Sequence, residues 1–186
     1  FGVAFEGEYR LLDEQLAIRL HTGYATGDPD VNGLSDREDT LTQLSQDRTL
    51  SHFAFHPAYS VDLILWRNLL GRVGGAWYLK LGVTYDVVRT TNGQRFGASF
   101  DVIYSRAAQE VQTYGSDPNL GLELNAGLHY RSDDGPGMLD GVHVLIQYGV
   151  LFPLEGLVFI QYAGSTARPA GFDLRLAQAA RLVMGV

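Results

Sequence analysis

The chain has 186 residues, of which 46% are hydrophobic and 19% charged, so it is long enough to bury a core and too apolar to be a disordered chain. A formal net charge of −7 argues against a nucleic-acid partner held by a basic surface. The lack of cysteine excludes disulfides, thiolate metal sites and cysteine nucleophiles. The chain starts at Phe1 with neither an initiator Met nor a signal peptide, which predicts a processed product or a fragment.

Apolar and polar residues alternate along most of the chain, a pattern typical of strands with one apolar and one polar face. The strands that this alternation predicts lie at 3–11, 15–25, 61–70, 77–88, 96–106, 120–131, 142–152, 157–163 and 172–186. The segment 61–70 alternates least regularly, so a bulge or a short helix there stays open. A helix that spans a membrane needs about 18 consecutive apolar residues, and the sequence has no such run.

The separators between the predicted strands are turn-forming residues, such as Gly74-Gly75 and Asn92-Gly93. No helical crossover of about a dozen residues lies between neighbouring strands, which predicts antiparallel pairing. We therefore predict an all-β fold with a single domain over 1–186, an antiparallel transmembrane β-barrel built as a meander of hairpins, with a long outer loop at 26–60. Because such barrels normally have an even strand number, nine strands predict that the chain forms only part of a larger barrel.

A soluble barrel and a membrane barrel would both show this alternation, and two features favour the membrane. Aromatic residues bracket the apolar positions eight residues apart, at Trp77 and Tyr85 and at Phe96 and Tyr104. In a tilted strand this spacing covers roughly 20 Å, close to the ~25 Å apolar band of outer-membrane barrels. The polar positions carry charges of both signs in balance, as an enclosed interior requires.

The polar positions of the strands supply the side chains that we predict to line the interior of the barrel. They are Glu6, Glu8, Arg10, Arg19, His21, Lys80, Asp86, Asp101, Glu123, His129, Arg131, His143, Asp173, Arg175 and Arg181.

The outer loop contains oxygen-bearing residues at the spacing of an EF-hand calcium loop, with Gly33 at the sixth position. The candidate Ca²⁺ ligands are Asp28, Asp30, Asn32, Leu34 (through its backbone carbonyl), Asp36 and Asp39. Asp39 stands where a bidentate Glu is usual, and no amphipathic helix clearly flanks the loop. The alternative is an acidic, solvated loop.

Catalysis is not predicted, and no catalytic or cofactor-binding residue is assigned. His52 and His56 are four residues apart, but Pro57 argues against a helix that would align them. Ser99 and Ser105 fall on the polar positions, yet no motif places a third, orienting group beside a Ser–His pair. The aromatic segment 53–59 is interpreted as a lid or inward-folded constriction, or as a structural loop anchor.

Six short motifs occur in an order that resembles a porin-like family of outer-membrane barrels typical of delta-proteobacteria. They are 22–29 (TGYATGDP), 53–59 (FAFHPAY), 62–67 (DLILWR), 103–107 (IYSRA), 120–124 (LGLEL) and 148–153 (YGVLFP). The resemblance covers roughly residues 15 to 186 and implies a barrel in the bacterial outer membrane, surrounded by membrane lipid and lipopolysaccharide. It implies no reaction and no substrate. Such barrels commonly end in an aromatic residue, whereas this sequence ends Met184-Gly185-Val186.

The expected function is a passive, porin-like channel for small solutes. One alternative is a structural barrel without a pore, with other outer-membrane or periplasmic proteins as partners, and another is a soluble ligand-binding β-barrel. Strand number separates the first two, because about eight strands leave an interior filled by side chains whereas about 14 to 18 leave an aqueous channel.

Overall fold

The computed structural model describes residues 1–28, 52–91, 93–110, 113, 117–133, 141–157 and 176–185. These residues form one antiparallel sheet of seven strands in which each strand pairs with the next along the chain. The strands are β1 (Gly2–Leu11), β2 (Leu16–Ala25), β3 (Ala76–Arg89), β4 (Arg95–Ala107), β5 (Asn119–Arg131), β6 (His143–Pro153) and β7 (Ala177–Gly185). The predicted all-β antiparallel meander is confirmed.

The sheet is open in the part of the chain that the structure describes, since no pairing there joins the edge strands β1 and β7. Closure into a barrel therefore stays a prediction. The first six observed strands begin and end within one residue of predicted ones, because apolar and polar residues alternate along most of their length. A short 3₁₀ turn at Glu155–Leu157 ends at the first residue of the strand predicted at 157–163, and the rest of that strand lies outside the described residues.

The predicted strand at 61–70 is wrong. Leu65–Leu69 form a single π-helical turn, so β2 pairs directly with β3. The turn is followed by Gly71, whose φ of 77° suits a glycine at the end of a helix. The segment does not need a neighbouring strand, because two carboxylates, Glu123 on β5 and Asp62 in the segment itself, bind several of its backbone N–H groups. We call residues 52–75 the inner segment.

The two faces of the sheet differ in what they carry and in what covers them. We call the face with the polar positions the inner face, because the inner segment packs against it, and the opposite one the outer face. The hydrophobic core lies between the inner segment and the inner face. Its buried members are Val61, Leu63, Ile64, Leu65, Trp66, Val73, Ala76, Tyr78, Ile103, Ala107, Leu120 and Leu151.

Burial on this sheet is inverted with respect to polarity. On the outer face, Leu81, Phe100 and Ile146 keep 51%, 49% and 52% of their surface exposed. On the inner face, Glu123 is only 1% exposed, and Asp101 is also buried. In the middle of the sheet the apolar side chains thus face outwards and carboxylates are buried, whereas ionisable residues of the edge strands, such as Arg10 and Arg181, are exposed on the inner face.

The connections between strands differ in length at the two ends of the sheet. Residues 26–75, 108–118 and 154–176 connect strands at one end, which we call the long-loop end. Residues 12–15, 90–94 and 132–142 connect strands at the other, the short-turn end. Among the described residues, no helix has the length and apolar content that a membrane span requires.

Candidate functional site: the inner face

A buried carboxylate on β5 anchors the inner segment to the sheet. Glu123 accepts hydrogen bonds from the backbone N–H groups of Leu63, Ile64 and Leu65, at N–O distances of 2.8, 3.2 and 3.0 Å. Three converging N–H groups satisfy a charge that would otherwise be expensive to bury. Glu123 therefore holds the start of the π-helical turn against the inner face.

A second carboxylate, from the inner segment itself, binds the next N–H groups of the same turn. Asp62 accepts hydrogen bonds from the backbone N–H groups of Trp66 and Arg67 at 2.9 and 3.1 Å. Burial raises the pKa of Asp62 to about 7, with the nearby Glu123 charge as a second cause, and these outweigh the N–H bonds that favour ionisation. A proton on Asp62 would thus relieve the repulsion between two buried carboxyl groups.

Side-chain hydrogen bonds complete the docking of the inner segment. The indole N–H of Trp66 donates to the Ser105 hydroxyl at 2.9 Å, and the Lys80 ammonium donates to the carbonyl oxygen of Val61 at 2.9 Å. These bonds come from two adjacent strands, β3 and β4. They fix the inner segment across the half of the face nearer the long-loop end.

The aromatic segment 53–59 also packs on the inner face. The ring of Phe55 stacks on Tyr59 with centroids 4.9 Å apart. The Tyr59 hydroxyl bonds to that of Tyr78 and donates to Glu6 at 3.0 Å. Burial and these two neighbours raise the pKa of Tyr59, so its hydroxyl stays protonated.

The middle of the inner face carries a compact group of charges. The Asp101 carboxylate lies 3.2 Å from the Lys80 ammonium and 3.5 Å from the Arg19 guanidinium. Arg19 also donates to the Thr84 hydroxyl at 2.7 Å. Because Lys80 bonds both Asp101 and the inner segment, it links the docked segment to this charge network.

A cleft of about 250 Å³ opens on the inner face at the short-turn end. Its ionisable lining residues are Glu8, Arg10, Glu14, Arg19, Asp86, Arg95, His129 and Arg131.

Most acidic groups of this cleft have a basic neighbour. His129 Nε2 lies 2.8 Å from Asp86, and Arg10 Nε lies 2.6 Å from Glu8. Glu14, in the turn between β1 and β2, bonds Arg89 at 2.6 Å, which lowers the pKa of Glu14.

The register places every described member of the predicted interior set on this inner face. Two of the predictions, Asp173 and Arg175, lie outside the described residues. The structure brings Arg19, Lys80 and Asp101 together, and Asp86 with His129. The remaining ones line the same face without joining these two groups, and His143 and Arg181 lie on the far strands β6 and β7.

Asp62, Trp66 and Arg95 are among the residues of this candidate site that the sequence did not predict. Asp62 and Trp66 were assigned to a strand, although the polar residue ahead of an apolar run and Gly71 after it are signals for a short helix. Arg95 was left out because the predicted strand began one residue later, although it continues the polar positions of β4.

The predicted calcium loop falls almost entirely outside the described residues. Only Asp28 of the candidate ligands is described, and it is buried. The other candidates are Asp30, Asn32, Leu34, Asp36 and Asp39. Across the described ranges, no group of three or more His, Cys, Asp or Glu side chains could hold a metal ion. Calcium binding stays a prediction.

Comparisons with known proteins give no match to a family model, to a curated protein or to a solved structure. The resemblance to porin-like barrels therefore stays a prediction, and function has to be argued from the geometry of the sheet.

Proposed function

We propose that the chain forms part of the wall of an outer-membrane β-barrel that acts as a porin-like, passive channel for small solutes. The observation that carries this proposal is the inverted burial of the sheet. Transmembrane barrels turn apolar residues towards lipid and polar residues towards an aqueous interior. In this function the outer face contacts acyl chains and the inner face lines the solute pathway.

The energetics of the outer face support a lipid environment. Burying a large apolar side chain is worth roughly 1.5–3 kcal/mol, and soluble monomers rarely expose an apolar patch larger than a few hundred Å². Leu81, Val83, Phe100 and Ile146 are all at least two-fifths exposed on one continuous sheet surface. Lipid would cover this surface, whereas water would leave it as an aggregation hazard.

The aromatic residues at the ends of the strands support the same environment. On the outer face near the long-loop end, Trp77 and Tyr104 form an edge-to-face pair with centroids 5.9 Å apart. At the short-turn end, Phe96 pairs with Tyr130 in the register of β4 and β5. Aromatic rings at both borders of an apolar band are typical of membrane interfaces, where one side of the ring is apolar and the other is wet.

The difference in loop length gives the proposed orientation. Outer-membrane barrels have short periplasmic turns and longer extracellular loops. The long-loop end, which includes residues 26–75, would face the exterior and the short-turn end the periplasm. The inner segment then enters the interior from outside and narrows the channel, while the charged cleft opens to the periplasm.

A barrel without a pore is a second candidate, and the docked inner segment favours it. Trp66, Leu63 and Tyr78 are buried where that segment meets the inner face, so no passage exists between them. In a small barrel this packing would close the interior, and the protein would then serve as a scaffold for other outer-membrane or periplasmic proteins.

Conductance across a planar lipid bilayer tests the channel directly. The full chain, purified in detergent and reconstituted, should produce stepwise currents, and heat-denatured protein from the same preparation should not. Insertion into liposomes without conductance would contradict the channel proposal and favour a barrel without a pore. A protein that stays monodisperse after detergent removal would contradict both and favour a soluble ligand-binding barrel.

A further inference from the structure

We propose that the cleft at the short-turn end is a binding site for small oxyanions, held between the guanidinium groups of Arg95 and Arg131. The role of the site as part of a solute pathway rests on the proposed function, whereas the binding itself does not. The solute class that it selects is a carboxylate or a phosphate.

The register of four strands gathers basic residues into one row. Arg89 pairs with Arg95, Arg95 with Arg131, and Arg131 with His143, on β3, β4, β5 and β6 respectively. Paired residues project from the same face of a sheet, with Cβ atoms about 5 Å apart. The row therefore lies on the inner face, at the short-turn end.

Like charges directly opposite each other destabilise a sheet, so this row needs negative partners. Arg89 has Glu14 at 2.6 Å, and Arg131 has Asp133 at 2.6 Å on the exposed rim. Arg95 takes part in none of the ion pairs found among the described residues, and it acts on Glu14 only at longer range. Positive charge is thus left over at Arg95, beside the guanidinium of Arg131 that Asp133 holds at the rim.

The acidic groups of the cleft are already engaged. Glu8 pairs with Arg10, and Asp86 pairs with His129. An incoming cation would therefore compete with Arg10, Arg89 or His129 for each carboxylate, while an incoming anion finds a guanidinium without a carboxylate partner at Arg95. This arrangement favours anions over cations.

The size of the cleft and the chemistry of arginine select the class of anion. A volume of about 250 Å³ is the share of roughly eight water molecules, enough for a small anion with part of its hydration shell. The planar guanidinium fork donates two parallel hydrogen bonds to a carboxylate or a phosphate. Two forks side by side fit an oxyanion better than a halide, which has no pair of acceptor oxygens.

Calorimetric titration of the detergent-solubilised protein tests the site without requiring a pore, with inorganic phosphate and acetate as separate probes. The double variant Arg95→Gln/Arg131→Gln should weaken binding of the preferred anion at least tenfold. Arg181→Gln, a charge loss on the same face but on β7 and outside the cleft, should change the affinity less than twofold. Arg95→Lys/Arg131→Lys keeps the charge and loses the fork, so it should weaken binding by an intermediate factor.

Reversal potentials in a salt gradient separate this inference from the proposed function. Wild type should favour chloride over potassium, phosphate should reduce the current, and both effects should shrink in the double glutamine variant. Binding without conductance would end the channel proposal and leave the site intact. Conductance with no binding of either anion, or equal affinities in wild type and the double variant, would overturn the site. If the double variant loses the circular dichroism signal of a β-sheet, the single variant Arg95→Gln takes its place in the same titration.

Discussion

A single buried carboxylate decides how the inner segment meets the sheet. Glu123 is almost fully buried, and its hydrogen bonds come from the backbone N–H groups of Leu63, Ile64 and Leu65. Hydrogen bonds to a charged group are each worth about 1.5–3 kcal/mol, more than bonds between neutral groups. An apolar core alone would not fix this orientation, because hydrophobic contact is non-directional.

Glu123→Gln should therefore destabilise the docked segment by roughly 2 kcal/mol or more, since the amide keeps one acceptor and turns an N–H₂ group towards three N–H donors. Urea unfolding followed by Trp66 fluorescence measures this loss, in a Trp77→Phe background that removes the second tryptophan. Glu8→Gln, which neutralises an exposed member of the same face, is the matched control and should cost less than 1 kcal/mol. Equal effects of the two substitutions would contradict an anchoring role for Glu123.

Which residues share the inner face could be predicted from the sequence, but which of them touch could not. A period of two assigns Lys80, Asp101 and Glu123 to one face, and the register agrees. The sequence does not say that Asp101 bonds Lys80 and Arg19 while Glu123 bonds backbone amides. Those choices depend on the path of the inner segment, which is a tertiary feature.

The inner segment is the element on which local pattern and tertiary structure disagree most. Residues 61–70 are apolar enough for a strand, yet two carboxylates bind five consecutive backbone N–H groups and favour a helical turn. Glu123, one of the two, is far away in the sequence. Gly149 lies beneath the turn, where a Cβ would be in ordinary contact with Ile64 and Leu63 at 3.4 Å but would clash with Asn125 Oδ1. Local alternation carries no information on either contact.

Docking of this element should depend on pH through Asp62. Its pKa is raised from 3.8 to about 7, so between these values the docked state keeps a proton that the undocked carboxyl has lost. Docking is therefore strongest below about pH 4, weakens as the pH rises to about 7, and is then constant. Acrylamide quenching of Trp66 in the Trp77→Phe background should rise over this window.

Asp62→Asn mimics the protonated side chain and should remove most of this pH dependence. Asp133→Asn, at an exposed position outside the inner segment, should leave the quenching curve unchanged. A slope that survives in Asp62→Asn would assign the titration to another group, and docking that strengthens with rising pH would contradict the mechanism.

On the scale of the whole molecule, the meander follows from the sequence and closure does not. The short turns at 12–15 and 90–94 make β1–β2 and β3–β4 local hairpins, and the absence of crossover helices in the sequence predicts that the strands joined by longer connections pair in chain order as well, as they do. Closure depends on strand number and stagger, which no single hairpin encodes. Whether the interior is an open pore or is filled by side chains depends on the same strand number and stagger.

Whether lipid or water contacts the outer face is the remaining property of the whole molecule. Arginine substitutions at two different depths on that face can measure it. Leu81 lies in the middle of β3 and Val88 near its short-turn end, and both are exposed on the outer face, where they pair with Val102 and Phe96. In a bilayer, arginine at the midplane costs about 2–4 kcal/mol and near the interface only about 0–1 kcal/mol. In water, both substitutions would change stability by less than about 0.5 kcal/mol.

Unfolding of Leu81→Arg and Val88→Arg in lipid vesicles should therefore separate the two by at least about 1 kcal/mol, with Leu81→Arg the less stable. The comparison is internal, because the substitutions introduce the same side chain on the same strand and differ chiefly in depth. Equal, small effects would place the outer face in water and remove the basis of the channel. A depth-dependent cost would instead mean that the apolar side chains stabilise the protein by contact with lipid, which makes the enclosed charges of the inner face the lining of an interior.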